Sequence, residues 1–126
     1  MATVRTRWGL MLDTLARLSD TEQQLVAQGA APADFVPDRL LDDWFETFQD
    51  GAGLTRAGIS PAIITVLDEF DANLVQLIDV VPDDIADKEG YIQYDEVWRV
   101  ICEMADWTLT RIAAVSQPRE VTFSLN

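Results

Sequence analysis

The residues that most often carry out protein chemistry are scarce in this sequence. It contains no histidine, which is the commonest general base and the commonest transition-metal ligand. Its single cysteine, Cys102, therefore has no histidine to activate it as a nucleophile. The single lysine, Lys88, does not follow a glycine-rich loop, so there is no phosphate-binding motif. These observations predict that the protein is not an enzyme and uses no cofactor.

Carboxylates are the one reactive group present in excess. The 126 residues include 22 Asp and Glu against 9 Lys and Arg, which gives a formal net charge of −13. A general acid needs a buried carboxyl group with a raised pKa, but pairs such as Glu46 with Asp50 fall on faces predicted to be polar. We therefore expect the carboxylates to act on a partner through their electrostatic field and not by proton transfer.

The negative charge also restricts the kinds of partner. It disfavours the phosphate backbone of a nucleic acid and an anionic membrane surface. No run approaches the ~20 apolar residues of a spanning helix, and no signal-peptide pattern follows Met1, so the sequence predicts a cytoplasmic protein without membrane contact. The partner that an acidic surface favours is a basic protein.

The spacing of apolar residues predicts one all-α domain over residues 1–126, a bundle of four to five helices with a short extended tail at 118–126. The predicted helices cover residues 4–18, 19–29, 38–50, 61–81 and 95–115. Ser19, Asp38 and Ser60 are expected to cap helix N-termini. The last helix is apolar nearly all round and is therefore expected to be the most buried.

An acidic segment before the last predicted helix has a pattern of oxygen ligands. The third, fifth, sixth, eighth and twelfth places of residues 85–96 hold Asp87, Glu89, Gly90, Ile92 and Glu96. This spacing resembles the calcium loop of the EF-hand family. The resemblance implies a calcium-responsive module with Asp87, Glu89 and Glu96 as ligands, degenerate because Ile85 stands where the family has aspartate. The alternative is a loop that binds no metal, followed by a helix that Asp95 caps.

The four tryptophans divide into two groups. Trp8, Trp44 and Trp98 lie on or beside apolar stripes and are predicted to belong to the core. Trp107 lies beside two carboxylates at the border of a polar strip, where its ring could receive an Arg or Lys from a partner. The alternative is that the C-terminal tail covers it.

Residues Val121 to Leu125 alternate between apolar and polar, which is the period of a half-buried strand. A lone strand has unpaired backbone groups on both sides. It is expected to lie across the bundle as a tail, to pair with its copy in a homodimer, or to extend a partner's sheet.

The sequence therefore favours a non-enzymatic protein that docks a basic protein partner, of the inhibitor, immunity or adaptor type. The residues expected to make this contact are Asp42, Asp43, Glu46, Asp50, Asp83, Asp84, Asp87 and Trp107. Two other functions stay open: the degenerate calcium module, and a structural or assembly subunit whose acidic surface is an adaptation to salt.

Overall fold

The computed structural model describes residues 4–48, 54 and 58–116, and within them the fold is all-α, as predicted. Six α-helices occur in these ranges, and no strand does. They are α1 (Val4–Leu18), α2 (Thr21–Ala30), α3 (Val36–Thr47), α4 (Pro61–Leu77), α5 (Lys88–Tyr94) and α6 (Glu96–Ser116), with a 3₁₀ turn at Ile78–Val80. Asp50 and the predicted tail at 118–126, with its strand from Val121 to Leu125, lie outside the described residues.

The core lies between α1, α3, α4 and α6. α6 packs against α4 and α1, α1 also packs against α3, and α2 packs against α5. Trp44 and Trp98 are fully buried, as predicted, and Trp8 is partly buried against the same core. Fully burying one large apolar side chain contributes roughly 1.5–3 kcal/mol.

Three helix starts use side-chain caps that short-range sequence patterns indicate. Ser60 accepts a hydrogen bond from the backbone N–H of Ala62, and Asp95 accepts one from Trp98. For α2 the capping residue is Asp20, one position after the predicted Ser19. Each such cap contributes about 1 kcal/mol.

Besides the position of the α2 cap, three predictions about elements were wrong. Asp38 does not cap α3, because that helix begins two residues earlier, at Val36. The acidic segment before the last predicted helix, expected to be a loop, contains α5 from Lys88 onward. α6 is not buried all round: Val100 is 45% exposed and Trp107 is 62% exposed, since neighbouring helices cover one side of α6 only.

Among the described helices, none is both long enough and apolar enough to cross a membrane.

Candidate functional site

The orientation of α3 is fixed by aromatic packing on its inner face. The fully buried Trp44 stacks on Phe48, with ring centroids 5.0 Å apart, and meets Phe70 of α4 edge to face at 4.9 Å. Its indole Nε1–H donates a hydrogen bond of 2.9 Å to Oδ1 of Asp71. Because the inner face is held in this way, the acidic residues between its buried positions must point outward.

These acidic residues line an open groove of about 500 Å³, which we call the acidic groove. Residues 38, 42 and 46 are spaced by four and so follow one another along one face of α3. The 3₁₀ turn and the segment after it bring two further aspartates to the same place. The carboxylates lining the groove are Asp34, Asp38, Asp42, Asp43, Glu46, Asp83 and Asp84.

Asp38 is free to line the groove because a residue of another helix caps α3. The side-chain Oε1 of Gln28, on α2, accepts a hydrogen bond of 3.0 Å from the backbone N–H of Val36. The amide of Gln28 also donates to the carbonyl oxygen of Asp34 at 2.6 Å. Phe35, the residue before α3, makes no side-chain cap. The cap therefore comes from eight residues upstream, which a short-range sequence pattern does not reveal.

The carboxylates of the groove affect one another's protonation. The pKa of Asp38 is raised, first by partial burial and then by repulsion from Asp42, Asp83 and Asp84. The pKa of Asp84 is lowered, because its carboxylate accepts a hydrogen bond from the N–H of Ile85 and another from Lys88. The groove therefore concentrates negative charge, and this charge together with partial burial disfavours the ionised form of Asp38.

Three of the seven carboxylates already have a cationic partner within the chain. Arg39 pairs with Asp34 at 2.8 Å, Arg17 pairs with Asp43 at 3.3 Å, and Lys88 pairs with Asp84 at 3.3 Å. All three pairs are partly exposed to solvent, so each contributes little to stability. The other four, which are Asp38, Asp42, Glu46 and Asp83, have no ion pair within the described residues.

The sequence-predicted docking residues are only partly brought together. Five of the eight line the groove: Asp42, Asp43, Glu46, Asp83 and Asp84. Asp87 lines a different cavity, beside Gln28 and Lys88, and Trp107 lies on α6 away from the groove. Asp50 is outside the described residues. The prediction omitted Asp34 and Asp38; the spacing of Asp38 four residues before Asp42 was the signal that could have identified it.

Two of the predicted calcium ligands have local roles in α5. Oδ1 of Asp87 accepts a hydrogen bond of 2.9 Å from the backbone N–H of Gly90, so Asp87 is the N-cap of the helix, and Glu89 lies in its first turn. A side chain at position 90 would collide with that carboxylate, since its Cβ would lie 2.1 Å from Oδ2. Within the described residues no three acidic or cysteine side chains are placed to hold a metal ion. The EF-hand resemblance stays a prediction from sequence.

Cys102 lies at the junction of α2 and α6. It is 7% exposed, and Nε2 of Gln24 donates to its sulfur at 3.7 Å. Burial raises the pKa of the thiol to about 11. A thiol with this pKa is protonated at neutral pH, which makes it a poor nucleophile.

Comparison with known proteins gave no match to a family model, a curated protein or a solved structure.

Proposed function

We propose that this protein docks a basic protein partner in the acidic groove, as small inhibitor, immunity or adaptor proteins do. The observation that carries the proposal is the convergence of seven carboxylates from α3 and two neighbouring segments on one face. Four of them have no cationic partner within the described residues, so the groove has unused capacity to pair with Arg or Lys.

Physical arguments favour docking over chemistry at this place. The groove is open to solvent and, among the described residues, its lining has no Ser, Thr, Cys or Lys side chain, and its one strongly basic side chain, Arg39, is already paired with Asp34. A field of this kind accelerates encounter with a cation and aligns it, and salt weakens both effects. The partner would be occluded or held while bound, without a bond being made or broken.

The direct test compares two variants with the same change in net charge. The groove variant carries Asp42→Asn, Glu46→Gln and Asp83→Asn, which removes three carboxylates that have no ion pair. The matched control carries Asp68→Asn, Glu103→Gln and Asp106→Asn, which removes three exposed carboxylates that do not line the groove. The probe is a fluorescein-labelled peptide, Arg-Arg-Ala-Arg-Arg, and the readout is fluorescence anisotropy.

We expect the groove variant to bind the peptide about five- to thirtyfold more weakly than the natural protein, since three exposed charge pairs together contribute roughly 1–2 kcal/mol. The control is expected to change the affinity by less than about twofold. Equal losses in both variants would mean that only total charge matters and would refute the proposal. A larger loss of affinity in the control would instead place the contact near Trp107, at the carboxylates of Glu103 and Asp106.

A further inference from the structure

A second cavity adjoins the acidic groove. It lies between α1, α2 and α3 and has a volume of about 240 Å³; we call it the socket. Its floor is formed by Val36 and Leu40, which are buried side chains of α3, and its wall by Ala27 of α2 and by Ala31, the residue that follows α2. A water molecule takes up about 30 Å³ in the liquid, so the socket has room for an amino-acid side chain.

The socket and the acidic groove are continuous. Asp34, Arg39 and Asp43 line both of them, so the two cavities share a wall. The wall contains two ion pairs, Arg39 with Asp34 and Arg17 with Asp43, through partly exposed side chains. A ligand that enters the socket must therefore pass between charged groups and lie beside the carboxylates of the groove.

Most polar side chains around the socket already have partners, and the exposed Gln23 is the other polar side chain of the lining. Gln24, at the edge of its lining, donates to the backbone carbonyls of Arg17 and Leu18 and accepts a hydrogen bond from the indole of Trp98. The arginines are held by carboxylates. Apart from Gln23, the surface left for a ligand is therefore aliphatic: two alanines, a valine, a leucine and the stems of two arginines.

From these observations we infer that the socket receives an apolar side chain of the same basic partner whose cations enter the acidic groove. This inference rests on the proposed function and adds the partner's chemistry to it: a segment with an aliphatic residue between basic residues. Charge complementarity with the acidic groove favours the basic residues on either side of the aliphatic one. Burial of the aliphatic residue in the socket supplies a desolvated anchor, which electrostatic steering alone does not provide.

The test uses two peptides, the fluorescein-labelled Arg-Arg-Ala-Arg-Arg and the same peptide with leucine in place of alanine. We expect the leucine peptide to bind the natural protein about five- to tenfold more tightly, because the aliphatic side chain is partly removed from water. The second comparison uses Ala27→Leu, which fills the socket from an exposed position on α2. The matched control is Ala16→Leu on α1, at an exposed position that lines neither cavity.

In Ala27→Leu we expect the preference for leucine to be lost, so that the two peptides bind equally well. Ala16→Leu should keep the full difference between the peptides. Circular dichroism would confirm that both variants are folded.

The outcomes separate the two proposals. If both peptides bind equally to the natural protein, and the groove variant weakens both, the socket inference is wrong and the proposed function stands. If the groove variant weakens neither, the proposed function itself fails. A preference for leucine that survives in Ala27→Leu would place the anchor elsewhere. Dimerisation of the natural protein that Ala27→Leu abolishes would make the occupant a second copy, which also overturns the inference.

Discussion

Asp38 shows how the groove changes the chemistry of a single residue. In the folded protein its pKa is raised, first by burial and then by the nearby carboxylates. The folded state therefore binds the proton of Asp38 more tightly than the unfolded state does. Between the ordinary pKa and the raised one, the folded state holds more protons, so stability falls as the pH rises through this range. Above the raised pKa, the charged carboxylate opposes folding by a constant amount.

Asp38→Asn is accordingly expected to raise the free energy of unfolding at pH 7, by up to about 0.5 kcal/mol, as is usual for surface charges. The gain should shrink as the pH falls from the raised pKa to the ordinary one, and below the ordinary pKa Asp38 is neutral in both states. Urea denaturation of both proteins at several pH values measures this. Asp68→Asn, on an exposed part of α4 outside the groove, is the control. A loss of stability in Asp38→Asn at pH 7 would show that the neighbouring carboxylates do not repel Asp38.

Arg39 is the basic side chain that competes most directly with an incoming cation, since it lines the groove and pairs with Asp34. Arg39→Gln should raise the affinity for Arg-Arg-Ala-Arg-Arg by about two- to fivefold, because Asp34 becomes available and one positive charge is lost. The exposed ion pair contributes little to stability, so unfolding should change by less than about 1 kcal/mol.

Arg111→Gln is the matched control for this change. It removes the same charge from an exposed ion pair with Glu69, which does not line the groove. If Arg111→Gln raises the affinity as much as Arg39→Gln does, the effect belongs to the net charge of the protein and not to the groove.

Among the elements, the position of α2 depends on buried glutamine side chains. Gln24 is 2% exposed, and its amide nitrogen donates to the last carbonyls of α1, at Arg17 and Leu18, with distances of 2.9 Å to each. Its oxygen accepts a 2.9 Å hydrogen bond from the indole of Trp98 on α6. One side chain therefore connects three helices.

Gln24→Leu is expected to lower the free energy of unfolding by about 2–4 kcal/mol. Leucine has a similar size but leaves the indole N–H of Trp98 and the carbonyl of Leu18 without the partner that Gln24 supplies, each at a cost of roughly 1–3 kcal/mol, whereas the carbonyl of Arg17 keeps its hydrogen bond from the N–H of Asp20. Gln23→Leu, at an exposed position on the same helix, should change stability by less than about 0.5 kcal/mol. Chemical denaturation measures both. Equal effects of the two substitutions would show that the buried hydrogen bonds do not stabilise the fold.

The elements also show what the sequence could and could not predict. The helices with strong apolar stripes were predicted close to their observed bounds, because packing of the stripe and local caps such as Ser60 determine them. The roles of Gln24 and Gln28 were not predicted, because each depends on contacts between helices that polar residue types do not reveal. α5 was missed because its acidic residues and its glycine resemble a loop.

The same distinction applies to the candidate site. The acidic face of α3 was predicted from helical spacing, which is a local property. That Asp83 and Asp84 lie opposite this face depends on how the segment after α4 returns to α3, and sequence spacing does not contain that information. Trp107 was grouped with these residues because it borders a polar strip beside two carboxylates of the last helix, but it does not line the groove.

At the scale of the whole molecule, the effect of the net charge of −13 on stability has to be distinguished from the effect of the groove on docking. Self-repulsion weakens with salt, and at physiological ionic strength the screening length is already about 8 Å. If the carboxylates form a docking site, the melting temperature should rise between about 0.02 and 0.2 M NaCl and then change little. A steep further rise up to molar NaCl in thermal unfolding would instead favour an acidic surface adapted to salt.

The most direct measurement of the docking claim is a ¹⁵N–¹H NMR titration of the protein with Arg-Arg-Ala-Arg-Arg. The account predicts that the largest shifts cluster at the backbone amides of Asp38, Asp42, Glu46 and Asp83, and that the indole signal of Trp107 does not move. Shifts scattered over all acidic segments, or concentrated at Trp107 and its neighbours, would contradict it.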